Sequence, residues 1–289
     1  SNVSHEFRTP LTLIISPLED ILSRETMTEK NRITMDRMHR NAVRLLGLIN
    51  QLLDLSKLDA GSMKLEFMES DLFRAIRVMT SSFQPLAERK KIEFALNTPK
   101  GEHVTFFDPD KLEKILANLL SNAFKYTPEE GYIECTVKVV KKGKNKDKDF
   151  LSIVVADSGP GIPAEMVDKI FDRFYQVEGS APISGGTGIG LSLTRELVNI
   201  QHGQIKVESA EGEGSRFTVL IPLGKEHLDE GEYGIREAGR FEESAILPGI
   251  LSASDSASPK PEDFMVEEQN GKPMVRRMRL RKRQNLTST

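Results

Sequence analysis

Two amphipathic stretches follow one another at the start of this chain, and neither can bury its apolar stripe alone. In residues 2–24, Leu11, Ile14, Ile15, Leu18, Ile21 and Leu22 recur at the three- and four-residue spacing of one helix face. In residues 29–58 a second stripe runs through Ile33, Met38, Ala42, Leu45, Leu46, Ile49, Leu52, Leu53 and Leu58. Glu25–Thr28 is a short turn, with Thr28 placed to cap the second helix. So short a connection makes the helices antiparallel neighbours. An isolated hairpin leaves such stripes wet, so the expected solution is a dimer in which two hairpins form a four-helix bundle.

The first stretch carries His5 beside Glu6. Near its unperturbed pKa of roughly 6.5, an imidazole offers a neutral nucleophilic nitrogen at physiological pH. Glu6 is placed to hold the other ring nitrogen or take its proton. By itself, such a histidine is more often a solvated or capping residue than a catalyst. Pro10 and Pro17 each remove a backbone donor and crowd the carbonyl four residues back, so the helix is expected to bend after His5. A mobile histidine-bearing turn and a tolerated kink both fit that bend. His39, with no acidic neighbour, reads as a surface or packing residue.

The 289 residues allow about two domains. A formal net charge of −3 gives no reason to expect nucleic acid as a partner. One cysteine excludes an intramolecular disulfide and any multi-cysteine metal site. No apolar run approaches the ~18–20 residues of a membrane span. Four residues precede His5, and the chain reads as a fragment of a longer protein.

Asp59-Ala60-Gly61 closes the second helix, and residues 62–70 alternate as a short connecting strand. A second domain is expected from Asp71, with a helix over 71–88 and strands around Ile92–Leu96 and Val104–Phe106. Its most informative helix is Asp110–Tyr126. Leu112, Ile115, Leu116, Leu119, Leu120 and Ala123 make a packed sector, while Asn118, Asn122 and Lys125 fall within about 60° of each other beside it. Asparagine is a mediocre helix former, so that edge is either a bland polar rim or a binding edge. Amide oxygens suit a hard cation such as Mg²⁺, and Lys125 offers a point charge to phosphate.

Tyr132–Val140 and Leu151–Ala156 read as neighbouring strands around a charged hairpin loop, with Cys135 in the core. The second strand ends in Asp157-Ser158-Gly159-Pro160-Gly161, where spaced glycines permit close backbone approach to a ligand. A carboxylate there can accept from the exocyclic amine of adenine and would repel the carbonyl of guanine. Ile170–Tyr175 offers Phe171 and Phe174 as a packing pair, and residues 176–184 read as a flexible lid. Gly185-Gly186-Thr187-Gly188-Ile189-Gly190-Leu191 runs straight into a helix, presenting free N–H groups suited to phosphate. This spacing is neither the dinucleotide fingerprint nor a P-loop. Strands Ile205–Ser209 and Arg216–Ile221 close the domain around Gly214 and Ser215.

Taken together, Ser4–Thr12, the Asn118–Tyr126 edge, Asp157–Gly161, Ile170–Tyr175, Gly185–Leu191 and Gly212–Ser215 resemble, in order, the H, N, G1, F, G2 and last glycine boxes of bacterial sensor histidine kinases. The resemblance covers residues 1–223. It implies a helical hairpin, a four-helix bundle as a dimer, followed by an α/β two-layer sandwich of the Bergerat ATP-binding type. The implied divisions are 1–60 for dimerisation and phosphotransfer, 61–70 as linker, 71–223 for ATP binding and 224–289 as low-complexity tail.

The same resemblance implies autophosphorylation of His5 from ATP with Mg²⁺, with Glu6 as base and Thr9 supporting dephosphorylation of a receiver. Asn122 would ligate the metal. Asn118, Lys125, Tyr126, Asp157, Gly159, Gly161, Gly186, Thr187, Gly188, Gly190, Leu191 and Ser215 would hold the nucleotide. Partners would be a second copy and a response-regulator receiver, with a hybrid parent on the cytoplasmic side of a bacterial inner membrane. Many relatives carry a basic residue where this chain has Gln176, which leaves Arg173 as a substitute for that charge. Two rivals stand beside this reading: a gyrase- or chaperone-type ATPase, and a dimerisation module with a dead nucleotide site. In the tail, six of the eight residues Arg276–Arg283 are basic, a pattern read as solvated linker.

Overall fold

The computed structural model describes residues 2–23, 28–142, 148–176, 187–229, 231–236, 264–269 and 272–277, with backbone alone for 2–10, 142, 264–269 and 272–277. Helix α1 spans Asn2–Leu22 and runs unbroken through Pro10 and Pro17. Helix α2 spans Glu29–Asp59. The Thr28 hydroxyl accepts from Asn31 N as its N-cap, and Gly61, at φ +60°, lies just past its end. His39 Nε2 lies 3.2 Å from Glu19 Oε1 across the hairpin, so the histidine on α2 packs against α1. Both helices rise by about 1.5 Å per residue. Equal steps from that contact, back along α1 to His5 and on along α2 to Leu53, therefore end in one layer.

The stripe is only partly covered. Leu11, Leu18, Ala42 and Leu55 are buried, whereas Leu13, Ile14, Ile33, Met38, Leu45 and Leu52 remain exposed in the single chain. Helix α2 faces two ways. Its last turns add Leu55 to the core of the following domain, with Leu48 and Leu58 packed against it.

A connecting strand β1 (Leu65–Asp71) leads to helices α3 (Leu72–Ser81) and α4 (Gln84–Lys90). The single helix expected over 71–88 is thus two, because Pro85 is tolerated only in the first turn of a helix and starts a new one. Strands β2 (Glu93–Asn97) and β3 (Val104–Phe107) precede helix α5 (Pro109–Tyr126). Then come β4 (Tyr132–Lys142), β5 (Lys148–Asp157), α6 (Gly190–Asn199), β6 (Gln204–Ala210) and β7 (Gly214–Pro222). Five of these strands form one sheet in the order β2-β4-β5-β7-β6, antiparallel except for β2 against β4.

Alternation along the strands builds the core. Ile133, Cys135 and Val137 on β4, Leu151, Ile153 and Val155 on β5, and Phe217, Val219 and Ile221 on β7 are all buried. Leu112, Ile115, Leu116, Leu119, Leu120 and Ala123 of α5 pack into the same cluster. Helices against one sheet make the expected two-layer α/β sandwich. Burial pushes the Cys135 thiol up to about 12, which leaves it an inert core residue.

The stretch read as low-complexity tail contains ordered structure at its start. Strand β8 (Tyr233–Ile235) pairs parallel with β1, giving a three-stranded sheet β3-β1-β8. Further on, β9 (Phe264–Gln269) and β10 (Lys272–Arg277) form an antiparallel hairpin, so part of the basic run lies on a strand.

Candidate active site

Helix α5 positions the first wall of the site. Asp108 caps it, accepting from Lys111 N at 3.0 Å, while its other oxygen accepts from Glu66 N on β1 at 2.7 Å. With the apolar sector of α5 locked into the core, its polar edge must face α6 and a cavity of about 300 Å³. Asn118, Asn122, Lys125 and Tyr126 line that cavity. Asn118 also holds the opposite wall: its Nδ2 donates to Gly190 O at 3.2 Å and Thr194 Oγ1 at 3.3 Å. Lys125 Nζ donates to the Tyr126 hydroxyl at 2.9 Å.

Asp157 stands on the cavity wall at the end of β5, 8% exposed. Burial raises its pKa above the usual carboxylate value, and N–H groups of Gly159 and Ser215 pull against that rise by bonding the charged form. Gly159 does not line the cavity; it works from behind, donating its N–H to Asp157 Oδ1 at 2.9 Å. Gly161 and Ser215 do line it. At Gly161, φ is +73° and a Cβ would lie 1.9 Å from Ala210 O, so only glycine fits.

The third wall is the start of α6. Thr187, Gly188, Gly190 and Leu191 line the cavity. Thr187 Oγ1 accepts from Ile189 N at 3.1 Å, which fixes the turn into the helix. Phe174 N donates to Gly188 O at 2.8 Å, and a Cβ on Gly188 would meet the Phe174 backbone at 2.5 Å. The phenylalanine segment is thereby fastened to the glycine loop. Phe171 is buried, with Arg195 stacked over its ring, whereas Phe174 is 63% exposed. Gly186 and the lid expected over 176–184, Gln176 apart, lie outside the described residues.

Several cavity residues were not singled out in the sequence. Ser121, Ile162, Ile170, Tyr175 and Phe217 belong to stretches already recognised. Gln51 does not: it reaches the cavity from α2. Gln176 is on the wall, but Arg173 is not. Arg173 is engaged instead by Asp59 at the end of α2. His5, Glu6 and Thr9 lie on α1, and their side chains are outside the described residues. Among the described residues no group of three or more His, Cys, Asp or Glu is arranged to hold a metal.

A helical hairpin joined to an α/β sandwich, with a cavity walled by amides, a buried carboxylate and a helix start, defines a nucleotide-dependent signalling core. Known proteins agree with it in both parts. The family described as "His Kinase A (phospho-acceptor) domain" matches residues 1–61, and the one described as "Histidine kinase-, DNA gyrase B-, and HSP90-like ATPase" matches residues 107–225. The two matched regions are the phosphoacceptor and ATPase domains of a sensor histidine kinase catalytic core.

Relatives include the hybrid signal transduction histidine kinase D of Dictyostelium discoideum, 38% identical over 81% of this chain and 15% of that protein. The sensor histidine kinase TmoS of Ectopseudomonas mendocina is 40% identical over 81% of this chain and 23% of its own length. The chain thus spans under a quarter of either relative. Among solved structures, full-length ShkA in complex with AMPPNP superposes with a TM-score of 0.63 at 27% identity, covering 77% of this chain and 45% of that one. No helix among the described residues is long and apolar enough to cross a membrane.

Proposed function

We propose that the chain transfers the γ-phosphoryl group of ATP to His5 and passes it on to an aspartate of a response-regulator receiver. The observation that carries this reading is one of layers. Gln51 on α2 lines the cavity, and the hairpin register puts His5 on α1 within a turn of that level. A phosphate at the mouth of the cavity then faces the phosphoacceptor's layer of the bundle.

In this reading Asp157 accepts from the adenine amine. Lys125 and the N–H groups at the start of α6 meet the phosphates. The donor set fits Mg²⁺: the Asn122 carbonyl on the cavity wall would be one hard oxygen ligand for an ion that is seldom caged by protein alone. When bound, that ion neutralises phosphate charge. His5 attacks in line; an N–P bond forms as the bond from the γ-phosphorus to the bridging oxygen breaks, ADP departs, and Glu6 receives the imidazole proton. Thr9 orients a water when the receiver is dephosphorylated.

The exposed leucine, isoleucine and methionine stripe of the hairpin supports a homodimer that buries it in a four-helix bundle.

The test is incubation with γ-labelled ATP and Mg²⁺, comparing the chain with His5→Ala. Acid-labile, alkali-stable label that vanishes in the variant is expected. Steady ATP hydrolysis with no phosphoprotein would instead favour a gyrase- or chaperone-type ATPase.

A further inference from the structure

The cavity borrows one wall residue from outside the ATP-binding domain. Gln51 is on α2, and its Oε1 accepts from Thr187 Oγ1 at 3.2 Å. That hydroxyl in turn accepts from Ile189 N. Its proton and one lone pair are therefore both committed, one to the bundle and one to the start of α6. Around Gln51, α2 is seated firmly: Leu48, Leu55 and Leu58 pack on the domain core, and Asp54 pairs with Lys114 of α5. Gln51 therefore sits within the docked face, between leucine contacts on either side.

We infer that Gln51 is a positioning residue for the phosphate-facing loop, and that docking of α2 and nucleotide binding are coupled through the Gln51–Thr187 hydrogen bond. With α2 in place the Thr187 hydroxyl has one orientation, and the Gly188–Gly190 backbone is presented to the ligand in one way. Without α2 the hydroxyl rotates freely and the loop loses that support. A nucleotide that prefers the fixed loop must by linkage favour the docked arrangement, and docking must by the same factor favour the nucleotide. This rests on reading the cavity as the ATP site, but not on transfer to His5.

The experiment uses the whole chain and a fluorescent, non-hydrolysable ATP analogue with Mg²⁺. Gln51→Ala, Thr187→Val, the double variant and Thr187→Ser are compared, each checked for an unchanged thermal transition. Loss of the Gln51–Thr187 bond is expected to weaken binding by about fivefold in Gln51→Ala, and Thr187→Val, which also removes the acceptor for Ile189 N, should bind at least as weakly. The double variant should bind no worse than the weaker single one, and Thr187→Ser should bind like the parent. Amide exchange at residues 48–58 should slow on adding the analogue to the parent, but not to Gln51→Ala. Independent losses that multiply in the double variant, or an unchanged affinity in Gln51→Ala, would overturn the coupling. A chain that binds no nucleotide sinks both readings. One that follows this cycle yet places no label on His5 sinks the transfer reading alone.

Discussion

Arg173 and Asp59 face each other across the domain boundary, each guanidinium nitrogen donating to a different carboxylate oxygen, with Nη1 2.7 Å from Oδ2. Hydrogen bonding from Arg173 holds the Asp59 carboxyl below its usual pKa. The arginine stands on the segment whose next residue, Phe174, is bonded to Gly188, so the pair ties the end of α2 to the loop bordering the cavity. Both side chains are exposed, and exposed pairs are weak and screened by salt. Arg173→Ala should therefore raise amide exchange at residues 55–61 by no more than about twofold. Salt at ~1 M should reproduce that rise in the parent and add nothing in the variant. Nucleotide affinity should stay within about a factor of two, since Arg173 is not on the cavity wall. A tenfold loss of affinity would restore Arg173 as a phosphate contact.

Asp157 carries two opposite pH trends. Its folded pKa is raised, so what the residue contributes to stability is present at low pH and lost as pH rises through that pKa. With nucleotide bound to the ionised carboxylate, as proposed above, affinity should fall as pH drops through the same raised pKa. Asp157→Asn should therefore melt higher than the parent at pH 7 without nucleotide. It should also bind ATP about tenfold or more weakly, as expected for a lost charge-assisted hydrogen bond. Binding titrations from pH 7.5 to 4.5 check the slope, which should be absent from the variant. A variant that melts lower at pH 7 contradicts the burial argument.

Much of this site was legible because single helices and turns encode it. The Asn118–Asn122–Lys125 edge follows from helical spacing once the apolar sector of α5 is in the core. The strand-end Asp157 and the glycines at 161 and 188 follow from local turn chemistry. What periodicity could not carry were contacts between elements that are each locally complete. Gln51 is one polar residue among many on α2, and nothing in its neighbourhood announces Thr187. The Arg173–Asp59 pair was equally hidden, because Asp59 lies far away in sequence, at the other domain's edge. Tyr233–Ile235 is too short and too polar around it to read as a strand; its stabilising edge is β1.

Cys135 offers a readout of the sheet core. It is fully buried on β4, with its thiol pKa pushed up to about 12. An alkylating reagent at pH 8 should leave the folded chain unlabelled for as long as the domain stays closed, and labelling should follow the unfolding curve in urea. Cys135→Ser places a hydroxyl where a sulfur packed, and should cost about 1–3 kcal/mol in that titration. Rapid labelling of the native chain would show the β4 face to be open.

The segment after β7 straps the connector between the two domains. Leu65 N donates to Glu232 O at 3.0 Å, and Arg236 N donates to Phe67 O at 2.8 Å. Phe67 and Tyr233 meet edge to face. The Arg236 guanidinium also reaches Glu66 at 3.6 Å and Asp110, at the start of α5, at 3.0 Å. Backbone pairing and side-chain charge can be separated here. Arg236→Ala keeps the N–H and removes exposed ion pairs, so its melting temperature should shift little. Arg236→Pro removes the N–H as well, at about 1 kcal/mol for the lost backbone bond. It should also speed amide exchange at residues 65 and 67, which Arg236→Ala should not. Glu66 N is held separately by Asp108, so its exchange should stay slow in both variants. Equal exchange in the two variants would mean that charge, and not the strand, holds the strap. Slow exchange throughout would mean that β1 is secured by β3 alone, whose pairing covers Met68–Asp71 and leaves the first residues of the strand to β8.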